Sequence, residues 1–278
     1  MSVKKQDIVT ALKQIGVKRG DILLVHSSLK SFGMDVEGGA ETVISALKET
    51  LTQEGTLVMP TFSQKNFQTV YKDWSLERPS DTGYITEVFR LQAGTLRSDQ
   101  ATHSVAASGR YAKEITEGHT AFGPRYGAYG DYAFSHSSPW QKMYDMRAKV
   151  LFMGADPIEA NTFRHFCEYR LVEELLNKIN SSPYYEAQKK KLRHFEGVVQ
   201  VKNPWPYIIN MEEIMKGKGI FVYRRCAQSK FALADVRKMV DEIEKAIRKQ
   251  PKRFLIDQEW LEETARVCKV DFFPEKED

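Results

Sequence analysis

Residues Asp21–Pro60 read DILLVHSSLKSFGMDVEGGAETVISALKETLTQEGTLVMP, and this stretch decides the fold. DILLVH (Asp21–His26) is a short apolar run closed by polar residues, the mark of a buried strand. Val43, Ile44, Leu47 and Leu51 recur at helical spacing, and GTLVMP (Gly55–Pro60) returns as a second buried strand. A strand, a helix and a strand in this order predict an α/β protein.

On the N-terminal side, Ile8, Leu12 and Ile15 give a helical face that stops at Gly16. On the other side, Thr61 to about Thr82 is a long irregular stretch of the kind that carries function. A short helical pattern follows over Ile85–Leu91, and ATHSVAASG (Ala101–Gly109) has the pattern of a strand. KVLFMG (Lys149–Gly154) is another strand, feeding through ADPIEA into the helix NTFRHFCEYRLVEELLNKI (Asn161–Ile179). Beyond Asn180 no period is clear until GIFVYRR, a further strand, and Leu233–Ile247, a helix carrying Val236, Met239, Val240, Ile243 and Ile247. No internal repeat and no domain-sized linker interrupts the chain. The expectation is one domain over residues 1–278, with a divergent segment at about 181–215 and a loose tail at about 272–278.

With 42% hydrophobic and 28% charged residues, the 278-residue chain can bury a large core. A formal charge of +4, with no basic domain or nucleic-acid motif, argues against nucleic acid as a partner. Cys167, Cys226 and Cys268 are odd in number and lack C-x-x-C spacing, which points away from a disulfide framework or structural zinc and toward a reducing cytoplasm. The N-terminus shows no apolar signal core, and VLFMGA is too short to span a bilayer, so neither secretion nor a membrane anchor is expected. Oligomeric state is left open, a homo-oligomer included.

The residues that carry chemistry lie on the helix after the 149–154 strand. His165, Glu168, Val172, Leu175 and Ile179 share one face that should be wholly apolar. A histidine and a carboxylate three residues apart on it cost free energy unless they are paired or used. Thr162 extends the row to T-x-x-H-x-x-E, with neighbours about 60° apart, so the carboxylate can orient the imidazole as a general base. A core-edge pair satisfying itself is the bland alternative. Cys167 points about 100° away from its neighbours and is expected to pack as a small hydrophobe. One H-x-x-E also falls short of a di-metal carboxylate site, and no metal is expected.

Other groups are weaker signals. The loop His26-Ser27-Ser28-Leu29-Lys30-Ser31 before Gly38-Gly39 supplies hydroxyls, a lysine and free backbone N–H groups, the parts of an anion site, although it matches no Walker or G-x-G-x-x-G pattern. His103 and Ser104 alternate on the expected strand, one inward and one outward. His119, His136 and His194 fall in loop-like sequence, where solvated roles are the default.

In their order, VHSSLKSFG, GGAETVISAL, GTLVMPTFS, RPSDTGYITEVFR, THSVAASG and VLFMGADPIEANTFRHFCEYR resemble the aminoglycoside 3-N-acetyltransferase family, the non-GNAT antibiotic N-acetyltransferases. The likeness covers most of residues 5–175, with a fainter echo from Ile220 to about Val240. It implies an α/β fold with a central mixed sheet flanked by helices. It also implies acetyl-CoA as co-substrate and direct acetyl transfer to a small amine acceptor, an aminoglycoside or other amino sugar. By that likeness His165 is the general base with Glu168 beside it. His26, Ser27, Ser28, Leu29, Lys30 and Ser31, with Thr102, His103 and Ser104, would approach the coenzyme. Asp73, Asp81 and Thr162 are candidates toward the acceptor, with Glu77, Asp131, Asp156 and Glu159 as further acids for a polycation. The chain departs from many relatives in having Gln100-Ala101 where they carry His-Pro, and again after Asn180. A non-catalytic coenzyme- or sugar-binding protein and a Cys-His hydrolase using Cys167 are the competing readings.

Overall fold

Ile8, Leu12 and Ile15 are buried on α1 (Lys5–Ile15), and the helix ends where Gly16 turns left-handed at φ 107°. The computed structural model describes residues 2–63, 65, 69–119, 133–179, 207–256 and 259–272. In it the deciding stretch is β1 (Ile22–Ser27), α2 (Gly39–Leu51) and β2 (Thr56–Pro60). After α3 (Tyr84–Arg90) come β3 (Leu96–Arg97), β4 (Val105–Gly109), α4 (Ala112–Thr116), α5 (Pro139–Asp145), β5 (Lys149–Met153) and α6 (Phe163–Lys178). The rest is β6 (Tyr207–Ile208), α7 (Met211–Met215), β7 (Val222–Cys226), β8 (Ser229–Asp235), α8 (Val236–Lys249), α9 (Pro251–Phe254), β9 (Leu255–Ile256) and α10 (Glu259–Val267).

Seven strands form one mixed sheet in the order β3-β4-β2-β1-β5-β8-β7, and β6 pairs with β9 in a separate ribbon. β1 is parallel to β2 and β5 on its two sides, while β3, β4, β7 and β8 add antiparallel edges. The central strands are apolar on both faces because helices cover both. Leu23, Val25, Leu57, Met59, Leu151 and Met153 pack toward α1, α2 and α3. Ile22, Leu24, Val58, Val150 and Phe152 pack toward α5, α6 and α8. The chain therefore leaves β1 for one face and β5 for the other. That divergence between neighbouring parallel strands opens a crevice at their C-terminal ends, the usual ligand position of an α/β sheet.

Several expectations are corrected by packing. Leu233 belongs to β8, and α8 starts only at Val236, where the Asp235 carboxylate accepts from Lys238 N at 2.8 Å. The 101–109 strand begins at Val105, so His103 and Ser104 sit in the preceding turn, and both are buried rather than alternating. His119 is buried too: its ring joins Ser98 Oγ and the Ala133 carbonyl, both at 2.9 Å. Phe272, at the start of the expected tail, is buried beneath Lys178 and Arg248. Within the divergent segment, residues 207–215 form β6 and α7. The remainder of that segment, His194, Asp131 and residues 273–278 lie outside the described residues. No helix among the described residues is long and apolar enough to cross a membrane.

Gly154 ends β5 at φ 71° and donates to the Lys230 carbonyl at 2.9 Å. A Cβ there would lie 1.8 Å from Ser31 Oγ, which donates to the Ser28 carbonyl at 2.6 Å and meets Ser229 Oγ at 2.7 Å. Gly154→Ala should destabilise the protein by about 2 kcal/mol or more, read as a lower urea midpoint; an unchanged midpoint would show that the Ser31 loop yields freely.

Candidate active site

The crevice holds a pocket of about 480 Å³ lined by thirteen residues from five parts of the chain. β1 contributes His26 and Ser27, the end of β2 Pro60 and Phe62, and the approach to α3 Thr82 and Thr86. His103 comes from the turn before β4, and Ala155, Glu159, Ala160, Asn161, Thr162 and His165 from the β5–α6 connection and α6. That connection is shaped by Asp156, whose Oδ1 accepts from Ile158 N at 2.7 Å and Glu159 N at 3.2 Å. Asn161 Oδ1 then accepts from Phe163 N at 3.2 Å as the helix begins.

On α6 the expected row forms. Thr162 and His165 line the pocket, and Glu168 lies behind them, wholly buried. His165 Nδ1 is 2.8 Å from Glu168 Oε2, and the other carboxylate oxygen accepts from Ile208 N at 2.7 Å. Both oxygens are thus engaged, which offsets the cost of taking a carboxylate out of water. A carboxylate can only accept, so Nδ1 is the donor in this contact and Nε2 is the ring nitrogen on the other side.

Aromatic rings enclose this imidazole: His103 stands 6.4 Å and Phe134 6.5 Å from it, centroid to centroid. His103 is held by Thr102 Oγ1 at 2.9 Å from its Nδ1, and Trp140 Nε1 donates to its carbonyl at 3.0 Å. Burial first, then repulsion from His165 and His119, pushes its pKa well below 6.5. Burial lowers His26 to about 4; its ring stacks on Phe152 at 5.1 Å. Its Nε2, like Ser27 Oγ, is buried without a hydrogen-bond partner.

The structure brings together His26, Ser27, His103, Thr162 and His165, with Glu168 supporting, and leaves other candidates apart. Ser28, Leu29, Lys30 and Ser31 follow the pocket edge without lining it, and Ser31 is committed to Ser28 and Ser229. Thr102 bonds Gln100, and Ser104 Oγ donates to the Thr61 carbonyl at 3.1 Å. Asp73 is exposed and paired with Arg78 at 2.6 Å, while Asp81 accepts from Lys65 N at 2.7 Å one residue before the pocket-lining Thr82. Among the described acidic candidates, Glu159 is the carboxylate that reaches the pocket wall. Sequence reasoning missed Thr82, Thr86, Asn161 and Phe134 as site residues. The first two sit in RPSDTGYITEVFR, where the start of a short helix after a polar loop was the available signal. Cys167 is wholly buried in the core with its thiol pushed well above 9 by burial, as packing on the far side of the helix predicts.

A doubly covered mixed sheet, with a carboxylate-supported histidine at the mouth of its parallel strands, defines the class. A family model described as aminoglycoside 3-N-acetyltransferase matches residues 24–248, and the chain belongs to that family. The SPbeta prophage-derived aminoglycoside N(3')-acetyltransferase-like protein YokD of Bacillus subtilis is 32% identical over 196 residues, 63% of this chain and 68% of that protein. Aminoglycoside N(3)-acetyltransferase III of Salmonella sp is 30% identical over 188 residues, 62% of this chain but only 61% of that enzyme's length. The crystal structure of Bacillus subtilis YokD superposes with a TM-score of 0.66 over 91% of this chain and 96% of that one, at 22% identity. A structure titled AAC-IIIb binary with CoASH superposes at TM-score 0.66 over 91% and 98%, at 17% identity. At those identities the two superpositions speak for the fold.

The buried histidines give a pH signature. Below pH 6.5 an unfolded chain protonates them while the folded protein does not, so the unfolded state binds more protons and stability falls with pH. For His26 the span from 6.5 to about 4 amounts to roughly 3 kcal/mol. Urea unfolding at pH 7 and pH 4.5 should show a smaller loss for His26→Gln than for the unaltered protein; equal losses would contradict the assignment.

Proposed function

We propose that the chain is an acetyl-CoA-dependent N-acetyltransferase that acetylates an amine of an aminoglycoside or another amino sugar. The observation that carries this reading is the His165 imidazole, tied by Nδ1 to a fully buried carboxylate while its ring borders the pocket. Acetyl-CoA would supply an acetyl group activated as a thioester. The strand ends fit such a donor: Ser27 Oγ and His26 Nε2 are buried with hydrogen-bonding capacity unused, and Lys30 is exposed on the loop that follows, available to phosphate.

An acceptor amine of lysine-like basicity, near pKa 10.4, is mostly protonated at neutral pH and must lose a proton to form the new N–C bond. His165 Nε2 takes that proton, and the Glu168 carboxylate stabilises the imidazolium that results. The acetyl group passes directly to the amine as the thioester C–S bond breaks, and the departing thiolate takes the proton from the His165 imidazolium and leaves as the free thiol. The thiol nearest in sequence, Cys167, is buried in the core and held protonated, which speaks against a covalent enzyme intermediate and against a Cys-His hydrolase. Glu159 and Thr162 line the same cavity, and Glu159 would meet a cationic acceptor there. No observation favours a scaffold that merely binds.

His165→Ala should abolish acetyl transfer while coenzyme A still binds. Glu168→Gln should lower kcat by about 10⁴-fold, the scale found when an amide imposes the wrong histidine tautomer, and Cys167→Ala should leave turnover intact. Thiol release measured across aminoglycosides and nucleotide-linked amino sugars tests these together. Near-normal turnover by the His165 variant would overturn the mechanism, and tight coenzyme A binding with no product from any amine would overturn the enzymatic reading.

A further inference from the structure

We infer that the Ile208 N–H, presented by the β6–β9 ribbon, is a positioning group for the His165–Glu168 pair: it holds one oxygen of the carboxyl and so aims the other at His165 Nδ1. The inference rests on His165 being the base. Glu168 lies on α6 and Ile208 forty residues later in the chain, yet Ile208 N reaches Glu168 Oε1 at 2.7 Å inside the core. The ribbon that holds it is narrow, with Tyr207 opposite Ile256 and Ile208 opposite Leu255. Along such a strand successive N–H groups point to opposite sides. Ile209 N turns to the Phe254 carbonyl at 2.9 Å, and Ile208 N turns outward to α6. Asn210 Nδ2 on the Arg253 carbonyl, at 2.9 Å, fastens the ribbon to α9. An outward N–H on a strand edge is an open donor; here it is spent on the one buried carboxylate of the catalytic helix.

The consequence is specific. A glutamine at 168 has one oxygen and one NH₂. Ile208 N–H takes the oxygen, so the NH₂ must face His165 Nδ1, which is then an acceptor, and the ring proton moves to Nε2. The base is lost by tautomer, not by distance. Without the Ile208 N–H the amide loses the donor that holds its oxygen on that side, and an oxygen turned toward Nδ1 restores the lone pair on Nε2.

The ¹⁵N spectrum of His165 reads this directly, with or without turnover. The expected result is an Nδ1–H ring in the unaltered protein and in Ile208→Val, which keeps the N–H, and an Nε2–H ring in Glu168→Gln. Adding Ile208→Pro to Glu168→Gln should return part of the Nδ1–H population and raise kcat above that of Glu168→Gln alone. Ile208→Pro by itself should lower kcat about tenfold or more with little change in the KM for acetyl-CoA. An Nδ1–H ring in Glu168→Gln would overturn the inference even if the proline variant fails to fold. So would strictly multiplicative losses in the double variant. If no amine is acetylated by any form, the proposed function fails while the tautomer result still decides whether Ile208 orients the pair.

Discussion

A carboxylate with no exposure to water sits in the middle of helix α6, and much of the molecule is arranged around keeping it there. Glu168 is tolerated because its two oxygens meet the His165 ring and the Ile208 N–H. Removing either partner would leave a buried charge short of a hydrogen bond, a cost of several kcal/mol in comparable sites. The two partners arrive from opposite directions. His165 is one helical turn away on the pocket side, and Ile208 belongs to a ribbon whose first strand lies in the divergent segment and whose second strand comes after it. The carboxylate thereby ties the active face of the α/β sheet to the C-terminal elements.

The position of the pocket has a different cause. β1 sends its chain to α2 on one face of the sheet, and β5 sends its chain to α6 on the other. Between two parallel strands whose connections part in this way nothing fills the space beyond the carbonyl ends. Side chains from β1, β2, the α3 approach and α6 converge on it. Three histidines in or near the wall are kept neutral by burial, whereas His165 is the ring tied to a buried carboxylate. His103 is aimed by a local device: Gln100 Oε1 accepts from the N–H groups of Thr102 and His103 and closes the turn that carries them.

Much of this was legible in the sequence. The hydrophobic pattern placed β1, α2, β2, β5 and α6 within a residue or two of their observed limits, because short apolar runs in doubly covered strands and 3.6-residue spacing in helices are local properties of the chain. The misplaced charge on the α6 stripe singled out His165 and Glu168 for the same reason. Errors arose where burial is settled by distant neighbours. His119 was expected in water but bonds Ser98 and Ala133. The 101–109 strand was expected to alternate His103 and Ser104, but both are buried in the turn before it.

The sequence by itself determined the α/β class, the strand–helix–strand core and the histidine–glutamate row, since each follows from residue spacing along a single element. Only the tertiary structure decided that β5 lies beside β1, that five separate segments close around one cavity, and that Ile208 supplies the second hydrogen bond to Glu168. Every residue but proline carries the same backbone N–H, so no sequence pattern marks the one that points at a buried carboxylate. That choice belongs to the path of the chain through space.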